Sequence, residues 1–197
     1  MINGVSVSRE VNDAEVIERS LVDGRFFERV FDRHHAAIHR FLRARAGLEL
    51  ADDLASETFT VAFRRRAAYD SSWPDARPWL YGIAINLLRA HRQREVRRLR
   101  AYARTPAERE SSLVEFESHV EAFHQNGRIS QALLGLSAQD RDLILLFAWA
   151  DLSYEQLSLA LEIPVGTVRS RLSRVRGLLR DQLDPSASAS VEGRSGR

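Results

Sequence analysis

Residues 152–176 read LSYEQLSLALEIPVGTVRSRLSRVR, and this stretch decides the fold of the carboxy-terminal part of the chain. Ser153 followed three residues later by Gln156 fits a capping box that starts a short helix. Pro164 in the connector prevents one continuous helix, and Gly166 opens the next one. The apolar positions of this second helix are spaced by four, three and four residues, which forms one core stripe: Val168, Leu172, Val175 and Leu179. The stretch therefore predicts a helix, a tight turn and a second helix.

The opposite face of the second helix is polar and basic. A rotation of about 100° per residue from Val168 points a small set of side chains directly away from the core, with three arginines beside them. The outward set is Ser170, Ser173, Arg174 and Gly177, and the flanking arginines are Arg169, Arg171 and Arg176. This is a helix-turn-helix pattern, in which arginine pairs with guanine in the major groove and serine contacts base or phosphate. The alternative is a solvated arginine-rich helix of a bundle, and the combined signals favour DNA binding.

Composition places the chain among ordinary globular proteins, with 197 residues, 44% hydrophobic and 28% charged. The absence of cysteine excludes disulfides and cysteine-ligated zinc and fits a reducing compartment. The longest unbroken apolar run, Leu143 to Ala150, is far too short to span a membrane. The charged first twenty residues carry no secretory signal, so we expect a cytoplasmic protein that does not insert into membranes.

The net charge of +2 conceals two basic blocks. Residues 64–104 hold eleven arginines against three acids, and residues 165–180 hold five arginines and no acid. Between them, residues 105–128 hold five glutamates and two arginines. Separated basic blocks indicate two contacts on a polyanion.

Almost every patterned segment has the helical period, so we predict an all-α fold of two small helical domains joined by a flexible linker. The second domain contains the helix-turn-helix. The predicted divisions are a loose leader over 1–22, a first domain over 23–104, an acidic linker over 105–127, a second domain over 128–183 and a disordered tail over 184–197.

Two features of the first domain each have an ordinary and a functional interpretation. Asp52, Asp53 and Glu57 lie at the start of a helix, where carboxylates stabilise the amino terminus. The alternative is that they form a docking surface for a basic partner protein. Periodicity alone favours the stabilising role. Aromatic residues and arginines alternate between Tyr69 and Arg92. That mixture suits single-stranded nucleic acid, whose bases stack on rings, but it also fits a surface loop beside a basic helix.

A third feature is a histidine cluster, which raises the alternative of a metal enzyme. His35 and His39 are four residues apart on one helix face, and His34 lies beside them. No Glu-x-x-His pattern or glycine-rich phosphate loop accompanies them, so packed or solvated histidines are the better interpretation. We therefore predict no catalytic residue, no metal and no cofactor.

Four segments together resemble a known family: FFERVFDRHHAAIHRFL (26–42), ADDLASETF (51–59), WLYGIAIN (79–86) and LSYEQLSLALEIPVGTVRSRLSRVR (152–176). They are similar, in the same order, to the extracytoplasmic-function sigma factors of the sigma-70 family. The resemblance implies a dissociable, non-catalytic subunit that directs bacterial core RNA polymerase to promoters. The implied partners are the clamp region and flap of core polymerase, promoter DNA, and an anti-sigma protein, by which many relatives are held.

The resemblance also assigns roles to residues. The clamp-docking positions are Asp52, Asp53, Glu57 and Phe59, which reverses the ordinary interpretation of the acidic helix. The positions implied to melt and read the minus-ten element are Ser72, Trp73, Arg77, Asn86, Arg89 and Arg92. The positions implied to read the minus-thirty-five element as duplex are Thr167, Arg169, Ser170, Arg171, Ser173 and Arg174.

The sequence departs from the family pattern at two places. Gly82 stands where many members carry arginine, and the loop SSWP (71–74) is uncommon. Both departures bear on minus-ten specificity. A rival function is a stand-alone helix-turn-helix regulator, which explains the carboxy-terminal motif but leaves the acidic helix and the aromatic loop unused.

Overall fold

The computed structural model describes residues 11–102 and 127–183, and all regular structure in these ranges is helical, which confirms the all-α prediction. The first unit contains α1 (Asp13–Val22), α2 (Glu28–Ala46), α3 (Leu48–Arg65) and α4 (Arg77–Tyr102). The second unit contains α5 (Gly127–Leu134), α6 (Ala138–Trp149), α7 (Tyr154–Leu161) and α8 (Val165–Leu183). The predicted linker, except Gly127, and the predicted tail lie outside the described residues.

The amino-terminal segment differs from the loose leader that the sequence predicts over 1–22. Asn12 caps α1 by accepting a hydrogen bond from the Glu15 backbone N–H at 2.9 Å, and Val16 and Ile17 are buried in the core. The inward positions of this helix also include Asp13 and Ser20. Because two of its five buried side chains are polar, the hydrophobic pattern is too weak to be recognised in the sequence.

The remaining helices of the first unit each bury an apolar face. Gly47 ends α2 and permits the immediate start of α3, since its φ of 82° lies in the left-handed region that favours glycine. Leu42 of α2, Leu54 of α3 and Leu80 of α4 are at most 2% exposed and belong to one core. The first unit is thus a helical scaffold that fixes the loop between α3 and α4.

The second unit contains the predicted helix-turn-helix. The capping box is present, because Ser153 Oγ accepts a hydrogen bond from the Gln156 N–H at 3.2 Å and the Ser153 N–H donates to Gln156 Oε1 at 2.8 Å. The turn after α7 includes Glu162 in the left-handed conformation, with φ of 55°. Three members of the predicted stripe, Val168, Leu172 and Val175, are almost fully buried.

The two units pack against each other, with α7 lying on α4. The contact is close at Gly82, where an added Cβ would lie 3.3 Å from the carbonyl oxygen of Ala160. At one edge of this interface, Arg77 Nη1 donates to the carbonyl oxygen of Ala150 at 2.9 Å, and Gln156 Nε2 donates to Asp75 at 3.0 Å. The absence of a side chain at position 82 therefore allows the two helices to approach.

Replacing Gly82 by leucine is expected to weaken this packing, because the new Cβ and the atoms beyond it meet the backbone of α7. Overpacking of this kind costs about 1–3 kcal/mol. Small-angle X-ray scattering should show a larger radius of gyration than for the parent chain. The matched control is Gly177→Leu, since that helical glycine has open space around it and gains the same helix propensity. An unchanged scattering curve for Gly82→Leu would contradict the expectation.

Candidate nucleic-acid interface

The acidic face of α3 lies at the surface. The side chains of Asp52, Asp53 and Glu57 are exposed, and His39 Nε2 lies 2.8 Å from Asp52 Oδ1. Within the described ranges, Asp53 and Glu57 form no ion pair with a basic side chain. Phe59 is only 5% exposed and belongs to the core instead. The structure thus brings the three predicted carboxylates together and separates Phe59 from them.

The loop between α3 and α4 is closed by hydrogen bonds of its own residues. The Tyr69 hydroxyl donates to the carbonyl oxygen of Trp73 at 2.5 Å, and the backbone N–H of Ser72 donates to Asp70 Oδ1 at 3.0 Å. Burial, helped by nearby carboxylates, raises the pKa of Tyr69, so its hydroxyl remains a donor at neutral pH. Ser72 is exposed and Trp73 is half-buried. The loop is therefore preorganised, with two predicted minus-ten residues at its surface.

Arg77 follows this loop and is held on two sides. Its guanidinium makes two-pronged contacts with the Asp75 carboxylate at 2.8–3.0 Å and reaches the Ala150 carbonyl of the second unit. Burial alone raises the pKa of Asp75, but the hydrogen bonds from Arg77 outweigh that effect and keep it below its ordinary value. Arg77 therefore joins the loop to the second unit.

The other predicted minus-ten residues lie along α4, and two of them contact the second unit. Asn86 Nδ2 donates to Glu162 Oε1 at 3.3 Å, and Arg92 Nη2 donates to the carbonyl oxygen of Arg45 at 2.7 Å. Arg89 Nη2 lies 3.8 Å from Asp142 Oδ2. The structure therefore places Asn86, Arg89 and Arg92 on one side of α4, with their polar ends engaged within the protein.

The predicted recognition residues lie on α8, the second helix of the helix-turn-helix. Arg169, Ser170, Ser173 and Arg174 are exposed, as the helical rotation predicts, whereas Thr167 and Arg171 are half-buried. Two arginines are held by α6. Arg174 Nη2 lies 2.8–2.9 Å from both oxygens of Asp140, and Arg171 Nη1 donates to Gln139 Oε1 at 3.0 Å. The exposed face of α8 is thus cationic, and part of it is positioned by neighbouring side chains.

Sequence reasoning missed a buried ion pair between the units. Arg45 Nε donates to Asp142 Oδ1 at 2.7 Å, with side chains 0% and 2% exposed, and Arg45 Nη2 donates to the Ala138 carbonyl oxygen at 3.3 Å. The third nitrogen, Arg45 Nη1, is buried and has no hydrogen-bond partner among the residues that the structure describes. The sequence contains a weak indication of this ion pair, because the charged residue Arg45 lies within the apolar stripe of α2 and Asp142 directly precedes an apolar run.

Comparison with known proteins identifies the family. Residues 30–98 match the model described as Sigma-70 region 2, and residues 126–179 match the model described as Sigma-70, region 4. The RNA polymerase sigma factor NccH of Alcaligenes xylosoxydans xylosoxydans is 30% identical over 164 residues, which cover 81% of this chain and 88% of NccH. The ECF RNA polymerase sigma factor SigC of Mycobacterium tuberculosis is 29% identical, covering 83% of this chain and 86% of SigC. The chain belongs to the extracytoplasmic-function group of sigma-70 factors.

The fold of the sigma factor also resembles a solved relative. The structure of the sigma factor RpoE from Bartonella quintana, determined with the anti-sigma factor NepR, superimposes with a TM-score of 0.61 at 20% identity. The match covers 80% of this chain and 96% of the solved one. Family membership makes the chain a non-catalytic subunit of RNA polymerase that acts in promoter-specific transcription initiation.

The histidine cluster does not assemble a metal site in the described part of the sigma factor. His34 Nε2 lies 2.7 Å from Asp13, and His39 lies against Asp52. The rings of His35 and His39 are stacked with centroids 5.9 Å apart. No described helix is long and apolar enough to cross a membrane.

Proposed function

We propose that this sigma factor directs core RNA polymerase to promoters with two elements, reading the minus-ten element as melted strand and the minus-thirty-five element as duplex. The observation that supports this proposal is the presence of two chemically different surfaces, one on each helical unit. One is a closed loop with an aromatic side chain beside arginines, and the other is a cationic recognition helix. These surfaces suit single-stranded and duplex DNA, respectively.

The minus-ten element is read by the loop and by the adjacent face of α4. Trp73 offers a ring on which an extruded base stacks, and Ser72 offers a hydroxyl at the same surface. Asn86, Arg89 and Arg92 continue the site along α4 and hold base and phosphates. Extruding a base costs a few kcal/mol, and stacking offsets about 1–3 kcal/mol of that cost.

The minus-thirty-five element is read by α8 in the major groove. Arg169, Ser170 and Ser173 are the exposed contacts for base edges and phosphates. Asp140 holds Arg174 and Gln139 holds Arg171 before DNA arrives, so their side chains lose less conformational freedom on binding. Thr167, in the first turn of α8, completes this set.

Polymerase binding uses the acidic face of α3. Asp52, Asp53 and Glu57 dock on the basic clamp region of core RNA polymerase, and the second unit contacts the flap. Phe59 supports this face from the core, since its ring packs 4.9 Å from that of Phe31. The protein acts in the cytoplasm, and an anti-sigma factor is a further partner, as for the Bartonella quintana relative.

Promoter reading through α4 requires the two units to separate. Asn86 leaves Glu162, and Arg89 moves away from Asp142, before either side chain contacts DNA. The length of chain between α4 and α5 allows this separation without breaking either unit. Binding both elements while tethered to one polymerase raises the effective concentration of the second contact.

Run-off transcription tests this function. With core enzyme, the protein should start transcripts at specific sites of genomic fragments at which core alone starts none. In a gel shift without core enzyme, it should bind the same fragments weakly. Tight and specific binding by the free protein, without an effect on initiation, would favour the stand-alone regulator instead.

Replacing Trp73 by alanine should slow promoter opening on duplex DNA by an amount equivalent to about 1–3 kcal/mol, because a stacking surface is lost. On a template that is already melted over the minus-ten element, the defect should be smaller. Fluorescence of a base analogue within the element measures opening, and Trp73→Phe is the control because it keeps a ring. Equal defects on both templates would argue for misfolding of the loop.

A further inference from the structure

Asp13 joins the first turn of α1 to the end of the minus-ten loop. Its carboxylate is almost buried and accepts a hydrogen bond from the backbone N–H of Ala76 at 3.0 Å. Asp13 is also a donor to the loop, because its backbone N–H donates a hydrogen bond to the carbonyl oxygen of Pro74 at 3.0 Å. One residue of α1 thus fixes two successive peptide groups of the loop.

The same carboxylate is anchored to α2 by two cationic or polar donors. His34 Nε2 lies 2.7 Å from Asp13 Oδ2, and Arg33 Nη1 lies 2.9 Å from Oδ1. Burial raises the pKa of Asp13, but the contacts with His34, Ala76 and Arg33 outweigh it and lower the pKa to about 2. The group is therefore an anion at neutral pH and binds its three donors in a fixed geometry.

The position of Asp13 affects both the loop and α4. Ala76 immediately precedes α4, and its carbonyl oxygen accepts the first helical hydrogen bond, from Leu80 at 3.0 Å. An anion at a helix amino terminus stabilises the helix start, and Asp13 binds the backbone N–H of the residue that precedes α4. The hydrogen bonds that close the loop internally, from Tyr69 to Trp73 and from Ser72 to Asp70, involve residues that come before Pro74.

We propose that Asp13 is a positioning residue for minus-ten reading, and that α1 is part of the promoter-reading machinery. Asp13 touches no DNA. It holds the Pro74–Ala76 backbone so that Ser72 and Trp73 stand at a fixed distance from the polar face of α4. This inference rests on the proposed function of the loop, and it goes beyond the region 2 match, which begins at residue 30.

The test compares Asp13→Ala with Val16→Ala. Val16 lies on the same helix and is fully buried, so its truncation lowers stability while the hydrogen bonds of Asp13 to the loop stay in place. Hydrogen exchange at the Ala76 amide reports on the loop, and transcription from a template library randomised over the minus-ten element reports on selectivity. Trp73→Ala is assayed beside them as a direct test of the loop's function. Asp13→Asn tests whether an uncharged hydrogen-bond acceptor restores the exchange rate and the selectivity.

We expect Asp13→Ala to speed exchange at Ala76 at least ten-fold and to reduce the preference between matched and singly substituted minus-ten elements at least five-fold. Asp13→Asn should recover part of both effects, since it keeps an oxygen acceptor. Val16→Ala should leave selectivity unchanged although its unfolding midpoint falls.

Three results would overturn the proposal: unchanged exchange in Asp13→Ala, unchanged selectivity in Asp13→Ala while Trp73→Ala loses it, or an equal selectivity loss in Val16→Ala. If neither Trp73→Ala nor Asp13→Ala changes selectivity, the proposed reading function of the loop is itself wrong. These outcomes separate the failure of Asp13 as a positioning residue from failure of the proposed function.

Discussion

Asp142→Ala is expected to separate the two units of the free protein while each unit remains folded. The substitution leaves the Arg45 guanidinium in an interface where its side chain is completely buried, and Arg89 loses the same counter-charge. Removing one partner of a buried ion pair costs about 3–5 kcal/mol, because the remaining charge is desolvated and uncompensated. If the interface opens, water hydrates the Arg45 guanidinium and this cost is avoided. We therefore expect the substitution to weaken the packing between the two units and not the folding of either unit.

Small-angle scattering and calorimetry check this expectation. The radius of gyration should rise, and the single unfolding transition should broaden or divide into two. Asp181→Ala is the control, since it removes an exposed carboxylate from α8. In the double variant Arg45→Met/Asp142→Leu, packing should return, because an apolar pair of similar volume replaces a buried ion pair without loss. A compact Asp142→Ala protein would refute the role of this pair in holding the units together.

Reversing the charge of Asp53 and Glu57 is expected to lower the affinity for core RNA polymerase by roughly 100-fold, since like charges then face each other across the docking surface. Both side chains are exposed and four residues apart on α3, so arginines at these positions leave the core of the first unit intact. Binding of the labelled double variant Asp53→Arg/Glu57→Arg to core enzyme measures the effect, and circular dichroism verifies its helix content.

The matched control is Glu28→Arg/Asp32→Arg on α2. These two carboxylates are also exposed and also four residues apart, so the change in net charge and the helical spacing are identical. Raising the ionic strength should weaken binding of the parent protein and should reduce the difference between the two double variants, because salt screens exposed charges. Equal losses in both variants would indicate a general charge effect and would contradict docking through the α3 face.

The sequence predicts those features that depend on local spacing. The stripe of α8 and the capping box of α7 are set by residues three or four positions apart, and the structure has both. The outward direction of Ser170, Ser173 and Arg174 follows from the same helical rotation. The acidic face of α3 was recognisable for this reason as well, although its function depended on the family resemblance.

The features that the sequence did not reveal depend on partners far apart along the chain. Arg45 and Asp142 are 97 positions apart, and Asp13 and Ala76 are 63 positions apart. In both cases a charged residue occupies an inward position, where hydrophobic periodicity predicts an apolar one. The packing of α7 on α4 is equally non-local, and it is the reason that Asn86 and Arg89 face the second unit.

The orphaned Nη1 atom of Arg45 has a consequence for the stability of the contact between the two units. Among the described residues no oxygen accepts a hydrogen bond from this buried N–H group, and an unsatisfied buried donor costs about 1–3 kcal/mol. An acceptor oxygen introduced near this nitrogen would therefore strengthen the contact between the two units.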